Sequence, residues 1–342
     1  MPQFMITTRR AANERAVGPA RYLTFDDAAG PEQDLGTNPR RWLAQLMGTF
    51  PKDATNTAGN PVRVGDILFL VHGFNVDHAS ARNFHMKCVA GLAKAGWIGQ
   101  LISYDWPSDG LVFAYLPDRV NARAAASALV SSGIRVLEQA QQTDCTVNVH
   151  VLSHSMGGFV VQQAFTWAYQ DVPADWKIGQ VLFASADVDH TVFSAGQFSA
   201  TMFDEHAGRL TAYCNSYDKA LAVSNAKRLD LEPRMGRVGL PDDAPAMMCE
   251  VDCSAFFQAA YPDIPAELSP VTSHCFYFDQ AAFWQDVALT LAGGIDRSVF
   301  PTRDAGPMAN RFSLKPRGAD PAQYGLALAR AASSPSVLPP AP

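Results

Sequence analysis

The stretch Val149-His150-Val151-Leu152-Ser153-His154-Ser155-Met156-Gly157-Gly158, followed at once by Phe159-Val160-Val161-Gln162-Gln163-Ala164, decides the fold. An apolar run ends in a serine flanked by small residues, and a helical pattern begins directly behind it. That is the layout of a nucleophile elbow, a sharp strand-to-helix turn that lifts one hydroxyl above a sheet edge. Read this way, Ser155 is a candidate covalent nucleophile. The position two residues earlier, glycine in the common form of the motif, is Ser153 here. It must be small because strand and helix approach closely at that point. His154 is expected to point the other way and pack.

Working outward, Asp66–Val71 is an apolar run too short for a typical helix and is closed by His72-Gly73-Phe74-Asn75. It reads as a strand buried on both faces. Helical spacing follows over Ala79–Ala95. A second buried strand, Gly99–Tyr104, leads into Asp105-Trp106-Pro107-Ser108-Asp109-Gly110. An alanine-rich helix is predicted over Asp118–Gln141, the elbow strand over Val147–Leu152, and its helix through about Tyr169. Further strands are expected at Gln180–Ser185, Arg209–Cys214 and Met247–Val251, and a terminal helix at Gln280–Ala292. This alternation predicts an α/β fold with a mostly parallel sheet flanked by helices. Right-handed crossovers would gather the loops after successive strands at one edge, where such sheets build their sites. Residues 63–300 are the expected catalytic domain. Residues 1–62 read as an extension packing on it, with a strand at Phe4–Thr7 and an amphipathic piece at Trp42–Met47. Residues 301–342 gather Pro, Ala, Ser and Gly and read as an arm or flexible tail.

Of the 342 residues 48% are hydrophobic and 18% charged, enough for a large core, and the formal charge is −6. Lys and Arg are scattered, with no basic stripe to suit a phosphate backbone, so nucleic acid is not an expected partner. The six cysteines, Cys88, Cys145, Cys214, Cys249, Cys253 and Cys275, form no CxxC pair and no zinc spacing. They read as reduced core thiols. The N-terminal apolar run is too short for a signal peptide. No window approaches the ~18 uninterrupted apolar residues of a membrane helix. A soluble cytoplasmic protein with no membrane partner is the expectation; the sequence leaves the oligomeric state unknown.

A serine hydroxyl is a poor nucleophile at neutral pH and needs a positioned base, itself oriented by a carboxylate. An elbow of this kind takes its partners in the chain order Ser, acid, His. The late histidine is His274, in the loop before the last helix; His190 and His206 come too early. The candidate acids are Asp218, which follows the strand Arg209–Cys214, and Asp187 and Asp189, which follow the strand Gln180–Ser185; either strand end can reach the histidine. A bare structural role for Asp218 would be to cap the helix starting at Lys219. Acyl transfer also needs donors aimed at the developing oxyanion. The backbone N–H groups of Met156 and Phe74 are the candidates. His72, Asn75, Trp106 and Pro107 are candidate pocket residues, although Trp106 would serve equally as a packed turn. Asp118 reads as a helix cap or anchor.

At this point the chain resembles the α/β-hydrolase superfamily, and more narrowly a bacterial branch of hydrolase-like proteins of unknown function. The blocks that carry the match are Val71-His72-Gly73-Phe74-Asn75-Val76, Asp105-Trp106-Pro107-Ser108, Tyr115-Leu116-Pro117-Asp118 and Ser153-His154-Ser155-Met156-Gly157-Gly158. Asp187-Val188-Asp189, Asp218-Lys219-Ala220-Leu221 and Ser273-His274 complete it. The resemblance implies an α/β-hydrolase fold and a Ser155–Asp218–His274 triad, with no substrate attached. The short segment between Ala186 and Arg209 leaves room for a small lid or none. The expected activity is that of a serine hydrolase, a carboxylesterase on short-to-medium acyl esters, with a small-molecule ester as substrate and neither metal nor organic cofactor. The alternatives are an acyltransferase, thioesterase or peptidase on the same residues, or a hydrolase-fold binding protein without turnover.

Overall fold

Two apolar runs set the frame of the first half of the chain. Ile67–Val71 and Leu101–Ile102 are buried, as strands covered on both faces must be. The computed structural model describes residues 2–55, 59–108, 115–140, 145–168, 176–228, 232–262 and 270–333. The chain forms two compact units, residues 1–87 with 98–178, and residues 88–97 with 179–342.

The first unit contains β1 (Gln3–Arg10), β2 (Asn13–Phe25), β3 (Glu32–Asp34), α1 (Arg40–Gly48), β4 (Ala54–Thr55), β5 (Pro61–Val71), the part of α2 (His78–Lys94) up to residue 87, β6 (Gln100–Asp105), α3 (Tyr115–Ala128), a short π-helix at Leu129–Ile134, α4 (Arg135–Ala140), β7 (Cys145–His154) and α5 (Met156–Ala168). The strand order is β7-β5-β6-β1-β2-β3, with β4 beside β5. Strands β7, β5, β6 and β1 run parallel, and β2 and β3 add antiparallel. The N-terminal segment is therefore woven into the sheet through β1. Its amphipathic helix α1 turns Trp42 and Leu46 inward, and the fully buried indole donates to Leu23 O at 3.0 Å.

The second unit contains β8 (Ile178–Ala184), a 3₁₀ turn at His190–Phe193, α6 (Phe198–His206), β9 (Ala207–Cys214), α7 (Lys219–Arg228), α8 (Met235–Val238), β10 (Met248–Asp252), α9 (Ser254–Ala260), α10 (Pro270–Cys275), α11 (Ala281–Ala292), β11 (Arg303–Ala305), β12 (Arg311–Leu314) and α12 (Pro321–Ser333). Its strand order is β11-β12-β10-β9-β8, with β9, β10 and β12 parallel and β11 antiparallel at the edge. In both units parallel strands alternate with helices, the pattern of the α/β-hydrolase fold. Between β8 and β9 lies one short helix, α6. Phe203 on it packs edge-on against Phe183 of β8, ring centres 5.7 Å apart.

The sequence reading of residues 301–342 as an arm or flexible tail needs correction. From 303 to 333 the chain folds two strands and a helix, and β12 pairs with β10 through Glu250–Arg311, Val251–Phe312 and Asp252–Ser313. The reason is electrostatic. Helix α11 is buried along almost its whole length yet carries Asp286, which must find a counter-charge. Arg303 supplies it, with Nε 2.8 Å from Oδ2 and Nη2 2.7 Å from Oδ1, while Tyr213 donates at 2.7 Å. Composition hides such an anchor. Residues 334–342 lie outside the described residues, as do Gln141 and Tyr169, the expected ends of two helices, and the side chain of Asp118.

Candidate active site

In the first unit the register Val71–Ser153 between β5 and β7 sets the ends of the two strands side by side. Strand β7 ends at His154 and α5 starts at Met156, so Ser155 alone makes the turn, at φ 56°. A left-handed serine costs on the order of 1–3 kcal/mol and persists only where its surroundings over-determine it. Two glycines do so. A Cβ on Gly157 would lie 2.3 Å from Val71 O and 2.5 Å from His72 O, so the first turn of α5 rests directly on the end of β5. A Cβ on Gly73 would lie 2.7 Å from Ser155 Cβ and 3.3 Å from its Oγ. The His72–Asn75 loop thus runs backbone-first against the serine. Ser153 is completely buried, as its place demands, while Ser155 keeps 8% of its surface exposed. Gly158 N donates to Ser155 O at 2.9 Å, which closes the first turn. Met156 N–H, one residue into α5, has no acceptor inside the helix. Phe74 is half-buried and Asn75 is exposed in a left-handed conformation at φ 59°. The His154 ring tilts against Phe84, centres 6.3 Å apart.

The pocket reading of Trp106 and Pro107 does not hold. Trp106 has no exposed surface, stacks on the His72 ring at 5.6 Å and donates from Nε1 to His72 O at 2.8 Å. Pro107 is buried beside it. A large aromatic with one donor is best placed inside with that donor satisfied, and this is the packed turn. His72, also buried, belongs to the same stack and lines no accessible surface beyond 2%.

In the second unit β9 ends at Cys214, and the turn Asn215–Asp218 feeds α7. Asp218 is completely buried and uses its two oxygens for two tasks. Oδ1 accepts from Leu221 N at 2.9 Å and caps α7, while Oδ2 lies 2.7 Å from His274 Nδ1. The capping role and the pairing with histidine, alternatives on sequence alone, coexist. His274 sits on the short helix α10 and not in an open loop. Two further contacts tie that helix to the turn: Asn215 Nδ2 donates to Ser273 O at 2.9 Å, and Lys219 N donates to Ser273 Oγ at 3.1 Å. Burial disfavours the charged ring of His274. The Asp218 carboxylate, helped by Asp187, outweighs it and raises the pKa above the ordinary 6.5. Asp187 and Asp189 both reach the completely buried Arg234, Asp187 Oδ1 at 3.4 Å from Nε and Asp189 through Nη1. They neutralise that guanidinium.

Residues 55–248, more than half of the chain, match the family described as "Alpha/beta hydrolase of unknown function (DUF900)". The chain belongs to this family. The matched span holds Ser155 and Asp218 and stops short of His274. No curated protein matches the chain. Among solved structures, one of two fungal esterases from Rhizomucor miehei is 12% identical over 85% of this chain and 84% of its own, with a TM-score of 0.35. A hyperthermophilic esterase from Pyrobaculum calidifontis is 12% identical over 73% of this chain and 86% of its own, with a TM-score of 0.33.

Within this α/β hydrolase, sequence reasoning missed Asn215 and Ser273, which brace the Asp218–His274 pair. Both are common turn residues, and only the fold brings them together. Among the described residues no helix is long and apolar enough to cross a membrane.

Proposed function

We propose that this α/β hydrolase is a serine hydrolase that cleaves carboxylic esters of short-to-medium acyl chains through an acyl-enzyme on Ser155. In this reading Ser155 Oγ attacks the ester carbonyl while His274 Nε2 takes its proton, and Asp218 holds the resulting imidazolium. The N–H groups of Phe74 and Met156 stabilise the oxyanion. His274 then protonates the departing alkoxide. Water, deprotonated by the same ring, cleaves the acyl-enzyme and restores the serine. The observation that carries the reading is the left-handed Ser155 between β7 and α5, with Gly73 pressed against it and Gly157 against the end of β5, neither with room for a side chain. The Asp218–His274 contact at 2.7 Å supports it from the second unit. The preference for modest acyl groups follows from the brief β8–β9 segment, whose one helix is packed into its own core.

A fluorophosphonate probe should label the wild type and leave Ser155→Ala unlabelled. Ser155→Ala and His274→Ala should each lose on the order of 10⁴–10⁶ in kcat on the best p-nitrophenyl ester of a chain-length series. A folded wild type that neither labels nor turns over any ester would overturn the reading. Product ratios with added alcohol or amine distinguish hydrolysis from transfer to another acceptor.

A further inference from the structure

The loop that carries Phe74 is held by a buried cluster that begins in the N-terminal hairpin. Register alone assembles it. Thr7 of β1 pairs with Asp105 of β6, and Val71 of β5 pairs with Tyr104, which sets His72 beside Asp105. Asp105 is completely buried and meets four side chains. Its Oδ1 accepts from Arg9 Nε at 2.7 Å and lies 3.1 Å from His72 Nε2; its Oδ2 accepts from Thr7 Oγ1 at 2.9 Å and from His78 Nδ1 at 2.7 Å. His78, the first residue of α2, donates from its other nitrogen to Glu32 Oε2 at 2.7 Å. Both ends of the loop are tied into this cluster. His72 begins it, and at the far end Val76 O accepts from Arg9 Nη2 at 2.6 Å and from Ser108 Oγ at 2.9 Å.

We infer that Arg9, Asp105 and His78 are positioning residues that hold the His72–Val76 loop, and with it the Phe74 N–H, in the geometry that receives an oxyanion. The inference rests on the reading of Ser155 as nucleophile and Phe74 N–H as donor given above. It makes the N-terminal hairpin part of the catalytic apparatus. A carboxylate serving the hairpin alone would not need His72 and His78, which bracket the loop. Arg9 would likewise have no use for a bond to Val76 O. The cluster also has one member able to titrate near the surface. His78 faces Asp105 from β6 and Glu32 from β3, with Arg9 of β1 and His72 beyond Asp105; Arg82 of α2 lies 3.6 Å from Glu32, and Asp77 precedes it in the chain. Burial opposes the charge on His78. Asp105 and Glu32 overcome it and push the pKa up to about 9. Loss of that proton removes the Glu32 link and loosens the start of α2 next to the loop.

The test is the pH dependence of kcat and KM, read separately, on a short p-nitrophenyl ester from neutral to strongly alkaline pH. Wild-type kcat should fall as pH rises through about 9 with KM unchanged. Glu32→Gln, a change at the edge of the cluster, should move that fall to lower pH. His78→Gln should abolish the step and leave a lower, flat kcat. Arg9→Lys keeps the charge but not the reach to both Asp105 and Val76 O, and a misplaced donor of this kind can cost up to about 10²-fold in kcat. An alkaline limb that stays where it is in both Glu32→Gln and His78→Gln, in folded proteins, overturns the inference alone. A wild type with no turnover and no labelling overturns it together with the serine-hydrolase reading.

Discussion

Two buried carboxylates in this molecule each hold a histidine at 2.7 Å, and they are built for opposite ends. Asp105 is surrounded by Arg9, Thr7, His72 and His78, so both oxygens are committed to fixed donors. Burial raises its pKa, but the histidine hydrogen bonds and the Arg9 charge outweigh this and hold it far below the usual carboxylate range. Asp218 has fewer partners: one oxygen caps α7 and the other meets His274. A crowded carboxylate acts as a fixed charge around which backbone is arranged. A sparsely partnered one leaves the histidine's protonation as the variable. Under the proposed triad, the number of donors around each acid, and not the Asp–His contact itself, is what distinguishes the two sites.

The sharpest way to break the comparison is Asp218→Asn. The amide keeps the shape and the oxygen that caps α7, but it cannot stabilise an imidazolium, so kcat should drop by about 10⁴. Asp187→Asn and Asp189→Asn should leave kcat near the wild-type value, because those acids answer Arg234. The pH profile gives a second readout. His274 must be neutral to act as base and its pKa is raised, so kcat/KM of the wild type should decline as pH falls through a value above 6.5. If Asp187→Asn collapses the rate and Asp218→Asn does not, the working acid is Asp187.

The elbow was legible because local chemistry writes it: only small residues fit around Ser155, and the strand and helix on either side have different periods. Asp218 and His274 were legible as a pair through chain order. The Asp105 cluster was not, since Thr7 and Arg9 lie 98 and 96 residues from Asp105 in the chain and their contact depends on which strand lies beside β6. A charged residue closing a buried strand was the one available signal, because such a group must be paired. Arg303 and Asp286 teach the same lesson at the other end of the chain. There a stretch rich in Pro, Ala and Gly folds because one of its residues neutralises a buried acid. Trp106 failed in the other direction, its burial preference winning over the pocket its neighbours suggested.

Asp105→Asn should add a large loss of stability, which Asp218→Asn does not, to whatever rate it loses through the displaced loop. It leaves the Arg9 and His78 cations without their shared counter-charge, a change that costs about 3–5 kcal/mol when one member of a buried pair is removed. Denaturant titration reads this directly. The wild type should also lose stability at alkaline pH. The His78 pKa stands at about 9 in the folded protein against 6.5 unfolded. Its contribution is therefore complete below 6.5 and fades as pH rises through about 9, by an amount on the order of 3 kcal/mol. Asp105→Asn should flatten that slope. An Asp105→Asn protein as stable as the wild type at every pH would mean that the crowded carboxylate does not hold the fold.

The smallest effect separates the two tasks of Asp218. Asn still offers an oxygen to Leu221 N, whereas Ala offers none, and losing a helix N-cap costs about 1 kcal/mol. Asp218→Ala should thus unfold at lower denaturant than Asp218→Asn by about that amount, while the two share the same collapsed kcat. Under the proposed triad, catalysis and capping would draw on different oxygens of one side chain, so the rate would not tell the variants apart and the stability would. Equal midpoints would mean that α7 is fixed by the Ser273 and Asn215 contacts alone, and that the short Leu221 N contact adds nothing to the fold.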